Sequence, residues 1–83
     1  MRMEIETKDD LIRHFMVVDP YKVVLDFEND TSFYTKEIDI EYGAFKSVTL
    51  GNHKGYYRSA ILLDGHYIYE INKIDGGYEV ILK

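Results

Sequence analysis

Apolar and polar residues alternate through most of this chain, and the alternation breaks at recognisable punctuation, so the sequence reads as a succession of short strands. The opening RMEIE alternates and predicts a first strand. TKDD follows, placing Thr7 three residues ahead of Asp10 in the spacing of a helix N-cap. Leu11, Ile12, Phe15 and Met16 then gather on one side of a helix, which Asp19-Pro20 ends. A helix of about ten residues is not stable alone, so its apolar stripe must dock on a neighbouring sheet.

The remainder predicts strands. YKVVLDFE sets Tyr21, Val23, Leu25 and Phe27 on one face; NDTS turns; FYTKEIDIEY returns with Ile38, Ile40 and Tyr42 inward, which together predict a hairpin. KSVTL is a shorter strand, GNHKG a turn, YYRSAILL a partly continuous apolar strand, DG a two-residue hairpin signal and HYIYEIN the next strand. DGG turns again and YEVILK closes the series. The expected fold class is α+β: one short N-terminal helix packed on a curled antiparallel meander of five to seven strands. With 83 residues, residues 1–83 form a single domain, hiding roughly 60–65 % of the unfolded surface.

Composition narrows the class of function. The chain has no cysteine, which removes disulfides, thiolate nucleophiles and zinc–thiolate sites and favours a reducing compartment. No apolar run approaches the roughly 20 residues of a membrane span, and the start carries no secretion segment, so the expectation is a cytoplasmic protein with no membrane contact. The net charge of −5 is uneven: residues 1–41 hold eleven acids and five bases, residues 42–63 three bases and no acid, and residues 64–83 four acids and two bases. Such a dipole repels nucleic acid from its acidic side and attracts basic partners.

Two stretches carry candidate chemistry. Glu37, Asp39 and Glu41 alternate with apolar residues, and carboxylates two apart on a strand stand about 6.6–6.8 Å from each other, close to twice the per-strand phosphate spacing of a duplex along its axis. If the hairpin forms, Asp26, Glu28 and Asp30 join them in a six-carboxylate partner-binding face. The expected function is then a small, acidic, non-enzymatic protein-binding module, in its most specific form a phage or mobile-element inhibitor that mimics nucleic acid and blocks a basic nucleic-acid-binding protein. The plain alternative is the wet side of a half-buried sheet, partly neutralised by Lys22 and Lys36. Asp26, Glu28, Asp30 and Glu37 also match positions 1, 3, 5 and 12 of a calcium loop, but Thr31 stands where that loop needs glycine, and neither metal nor cofactor is expected.

The second stretch, GNHKGYYR, joins His53, Lys54 and Arg58 to Tyr56 and Tyr57, a set suited to holding a phosphate by charge and a ring by stacking. It supports the alternative function, a small phosphate- or nucleotide-binding domain using residues 46–58, with an edge strand offering a homodimer contact. His14, His53 and His66 fit no metal spacing and no catalytic pair, and no phosphate loop or nucleophile elbow is present, so no catalytic residues are expected. Tyr67 and Tyr69 alternate with Ile68, and a helix over the Ile68 side would leave both tyrosines half exposed as partner contacts.

Overall fold

An apolar core lies between two antiparallel sheets, and among the described residues every regular element is a strand, so the fold is a β-sandwich. The computed structural model describes residues 1–29, the backbone of residues 36–42, and residues 43–83. The strands are β1 (Arg2–Glu6), β2 (Leu11–Val17), β3 (Lys22–Glu28), β4 (Lys36–Tyr42), β5 (Phe45–His53), β6 (Tyr56–Leu63), β7 (Tyr69–Ile74) and β8 (Gly77–Leu82). One sheet has the order β2-β3-β6-β5-β4 and the other β1-β8-β7. Val23, Leu25 and Phe27 of β3, Phe45 of β5 and Ile61 and Leu63 of β6 meet Tyr78, Val80 and Leu82 of β8 in that core. Met3 and Ile5 of β1 and Tyr69 and Ile71 of β7 pack on it from the smaller sheet. Alternation does this: each strand sends every second side chain into the gap and turns the others to the outer face of its sheet, where some, such as Val24 and Asp26 of β3, are buried by their neighbours on that face.

The predicted helix is corrected to strand β2, and with it the α+β class to all-β. Leu11 pairs with Phe27 and Arg13 with Asp26, so Ile12 is one extra residue, a β-bulge on the edge strand. After the bulge, His14 and Met16 share the inward side with Leu11 through their partners Leu25 and Val23, while Arg13, Phe15 and Val17 turn outward. That one-residue slip broke the period of two, and the resulting spacing of 11, 12, 15 and 16 imitated a helix. The supposed cap is a turn: the Asp9 backbone N–H donates to Thr7 Oγ1 at 3.1 Å, the bond a cap would make, without a helix after it.

The meander is also corrected. β3 pairs with β2 on one edge and β6 on the other, so no edge remains for β4, and the predicted hairpin between the two strands does not form. β4 pairs instead with β5 at the far side of the sheet. For the same reason Asp64-Gly65 does not close a hairpin. β6 already has β3 and β5 beside it, and residues 64–68 carry the chain across to the other sheet. The hairpins that do form among the described residues are local, including the Lys54-Gly55 turn between β5 and β6 and the Asp75-Gly76 turn between β7 and β8, each with glycine at φ 82°.

Tyr67 and Tyr69 face the core and Ile68 is exposed, the reverse of what a covering helix would impose. Side chains bond across the gap between the sheets: the Leu11 backbone N–H of β2 donates to the Tyr78 hydroxyl of β8 at 3.0 Å, and the Tyr57 hydroxyl of β6 meets Thr7 Oγ1, just past β1, at 2.8 Å.

Candidate functional site

The outer face of the five-stranded sheet carries the densest charge and aromatic chemistry among the described residues. Register brings Arg13 of β2, Asp26 of β3 and Arg58 of β6 into one row across three strands. The bulge at Ile12 is what puts Arg13 there, since unbroken pairing would set Ile12 opposite Asp26 and point Arg13 into the core.

Asp26 is fully buried. Arg58 forks onto it, Nε donating to Oδ1 at 2.8 Å and Nη2 to Oδ2 at 3.0 Å, and Arg13 Nε donates to Oδ2 from the other side. Arg58 is the largest cause holding the Asp26 carboxyl below the usual carboxylate range, against burial, which opposes ionisation. Asp26 in turn raises both guanidinium pKa values further, so the trio stays ionised at any physiological pH.

Rings support each cation. The Arg13 guanidinium lies 4.9 Å from the centre of the Tyr56 ring, and that of Arg58 5.4 Å from the Phe15 ring. Tyr56 also stacks on His53, centroids 4.7 Å apart and planes 3° apart. The arginines remain reachable from solvent, with side chains 50 % and 35 % exposed for Arg13 and Arg58.

The residues expected from the sequence separate. Asp26 is not offered to a partner as an acid, because it is spent on the two arginines. Glu28 is exposed on the same face, opposite Tyr56 in register. Asp30 lies outside the described residues, as do the side chains of Glu37, Asp39 and Glu41; the backbone of these three belongs to β4, which β6 and β5 separate from β3. The two acidic runs are therefore not neighbouring strands.

Of the basic stretch, His53, Tyr56 and Arg58 do share the outer face, and Lys54 is exposed in the turn beside it. Tyr57 points the other way. Its ring stacks on Phe27 at 5.2 Å, and its hydroxyl meets Thr7 Oγ1 and donates to Asp9 Oδ2, each at 2.8 Å. Burial pushes the Tyr57 hydroxyl pKa up, while the hydrogen bond from Tyr57 leads the causes that lower Asp9. Arg13 and Phe15 were missed because the helical reading hid their alternation; allowing one bulge after Leu11 recovers both.

No curated protein and no solved structure matches the chain. Residues 1–82 match the family model of the AMIN domain, so the chain belongs to that family of small β-rich domains that bind protein or peptidoglycan, whose occurrence in periplasmic and secreted proteins overturns the cytoplasmic expectation and the phage-inhibitor reading with it.

Proposed function

We propose that this domain is a non-catalytic binding module that holds peptidoglycan on the outer face of its five-stranded sheet, with Arg13, Arg58, Tyr56 and His53 as the contact residues. The observation that carries the reading is the use of a fully buried carboxylate, Asp26, to hold two solvent-facing guanidinium groups against aromatic rings. Arginine loses much rotamer freedom when a ligand immobilises it, and a side chain already clamped loses less. The row also gives a broad, shallow surface, which suits a polymer strand better than an enclosed metabolite. By contrast, the depression lined by Glu6, Thr7, Lys8, Asp75 and Gly76 contains no arginine and no aromatic ring.

The histidines support a binding role over a catalytic one. His14 meets Tyr69 edge-on, and His53 and His66 stack on Tyr56 and Tyr21, so each leans on a tyrosine ring rather than on a carboxylate that would orient it as a base. The test is co-sedimentation with insoluble peptidoglycan. The parent domain is expected in the pellet, and Arg13→Gln, whose side chain is half exposed and whose removal leaves the Arg58 fork intact, is expected largely in the supernatant with its melting curve little changed. A parent that stays in the supernatant, or an Arg13→Gln variant that pellets as well as the parent, overturns the reading.

A further inference from the structure

We infer that the group recognised at this face is a single carboxylate, such as the stem peptides of peptidoglycan carry, received by the terminal edge of Arg13 and flanked by Arg58; the inference rests on the function proposed above. The donor inventory points there. A guanidinium has five N–H groups. Arg58 directs Nε and one terminal nitrogen at Asp26, whereas Arg13 uses only Nε, so both terminal nitrogens of Arg13 have no hydrogen-bond partner among the described residues. Those two nitrogens form a planar fork, the geometry that matches a carboxylate with two parallel hydrogen bonds. The guanidinium lies over the Tyr56 ring and Asp26 fixes its Nε, so the group is held by a ring contact and at its Nε edge while the terminal edge stays open to a ligand.

Charge gives the valence. Arg13, Arg58 and Asp26 sum to one positive charge; among the described residues, the outward Lys22 lies four residues along β3 from Asp26, and the exposed Glu28 and Lys54 offset each other at the end of the sheet near the β5–β6 turn. One monoanionic carboxylate neutralises the row, completing an alternation of acid, base and acid. A phosphate dianion would leave a surplus negative charge on the row, and an uncharged sugar, whose oxygens accept single hydrogen bonds, would neither match the fork with a charged pair of acceptors nor neutralise the row. The stacked His53 and Tyr56 stand next to this fork, as a flat apolar support for whatever bears the carboxylate.

The experiment compares three forms of the polymer: intact peptidoglycan, peptidoglycan whose carboxyl groups have been converted to amides, and glycan strands stripped of their peptides. The parent is expected to bind the intact form and to lose about tenfold or more on amidation, as expected for losing a charge-assisted, bidentate contact. Stripped glycan should behave like the amidated form. Arg13→Lys keeps the charge and lacks the fork, so it should bind intact polymer about as weakly as the parent binds the amide, and it should lose little further on amidation. Equal binding of intact and amidated polymer overturns the carboxylate while leaving the peptidoglycan reading standing; no binding to intact polymer overturns both. Retention on a polyglutamate matrix, matched for carboxylate density, as strong as on peptidoglycan would assign the face to acidic protein segments and overturn the stem-peptide assignment.

Discussion

Replacing Arg58 by methionine is the sharpest test of the Arg-Asp-Arg row, because the geometry fixes what is lost. Asp26 is fully buried, and Arg58 supplies two of its three side-chain hydrogen bonds, at 2.8 and 3.0 Å. Methionine keeps the aliphatic volume against Phe15 but leaves a buried carboxylate with Arg13 alone. Removing one partner of a wholly buried pair costs about 3–5 kcal/mol. Here the Arg58 side chain is 35 % exposed, so water reaches part of the vacated space, and about 2–3 kcal/mol is expected. Small domains of this length have a total stability of about 4–12 kcal/mol, so a large fraction is lost, and the melting temperature should fall by roughly 10–20 °C.

Urea unfolding at neutral pH, with the slope checked for constancy, measures the difference directly. The companion variant Asp26→Leu with Arg58→Met removes both charges and should return to within about 1 kcal/mol of the parent, since a buried ion pair replaced whole by apolar groups is often neutral. A single substitution that costs less than about 1 kcal/mol, or a double variant no more stable than the single, would refute the assignment of Asp26 as a buried, arginine-dependent anion.

Acid should weaken the fold through the same residue. The Asp26 carboxyl is lowered in the folded state, so as pH falls the unfolded chain takes up the proton first; the contribution is complete above the ordinary carboxylate pKa of about 3.9 and is lost as pH falls through the folded value, and an Asp26→Asn variant should show a flatter stability profile in that acid range. Gly77→Ala should damage the small sheet, because a Cβ there would stand 1.8 Å from the Ile5 carbonyl oxygen of β1; loss of at least about 2 kcal/mol and early hydrogen exchange in β1 are expected, and a variant as stable as the parent would contradict the close pairing of β1 with β8. Tyr57→Phe removes the hydroxyl shared by Thr7 and Asp9, for a cost of about 1 kcal/mol. In that variant the Asp9 carboxyl, followed by NMR, should rise toward its ordinary value; an unmoved titration would break the link.

What was legible in the sequence was local. Alternation alone located β3, β6 and β8, put Val23, Leu25 and Phe27 on the core side, and found the Asp75-Gly76 turn, because side-chain direction in a strand repeats every two residues whatever lies alongside. It also grouped His53, Tyr56 and Arg58, which sit opposite or next to one another across a two-residue hairpin. Pairing between distant strands was not legible. Each strand offers the same row of N–H and C=O groups on both edges, so nothing in YKVVLDFE states that its neighbours are β2 and β6 rather than β4.

Those partners decided the chemistry. They turned Asp26 from one carboxylate of a presumed acidic stripe into the buried anchor of two arginines. The bulge at Ile12 was equally a tertiary decision: paired against Phe27 and Asp26, β2 accommodates an extra residue that an isolated reading counts as helical spacing, and that one residue rotates Arg13 from the core side to the outer face. Local chemistry thus determined most of the strands, β2 excepted, and which way most of their side chains turn. Only the packed sheet determined which side chains meet, because strand pairing and register are set by contacts many residues apart in the chain.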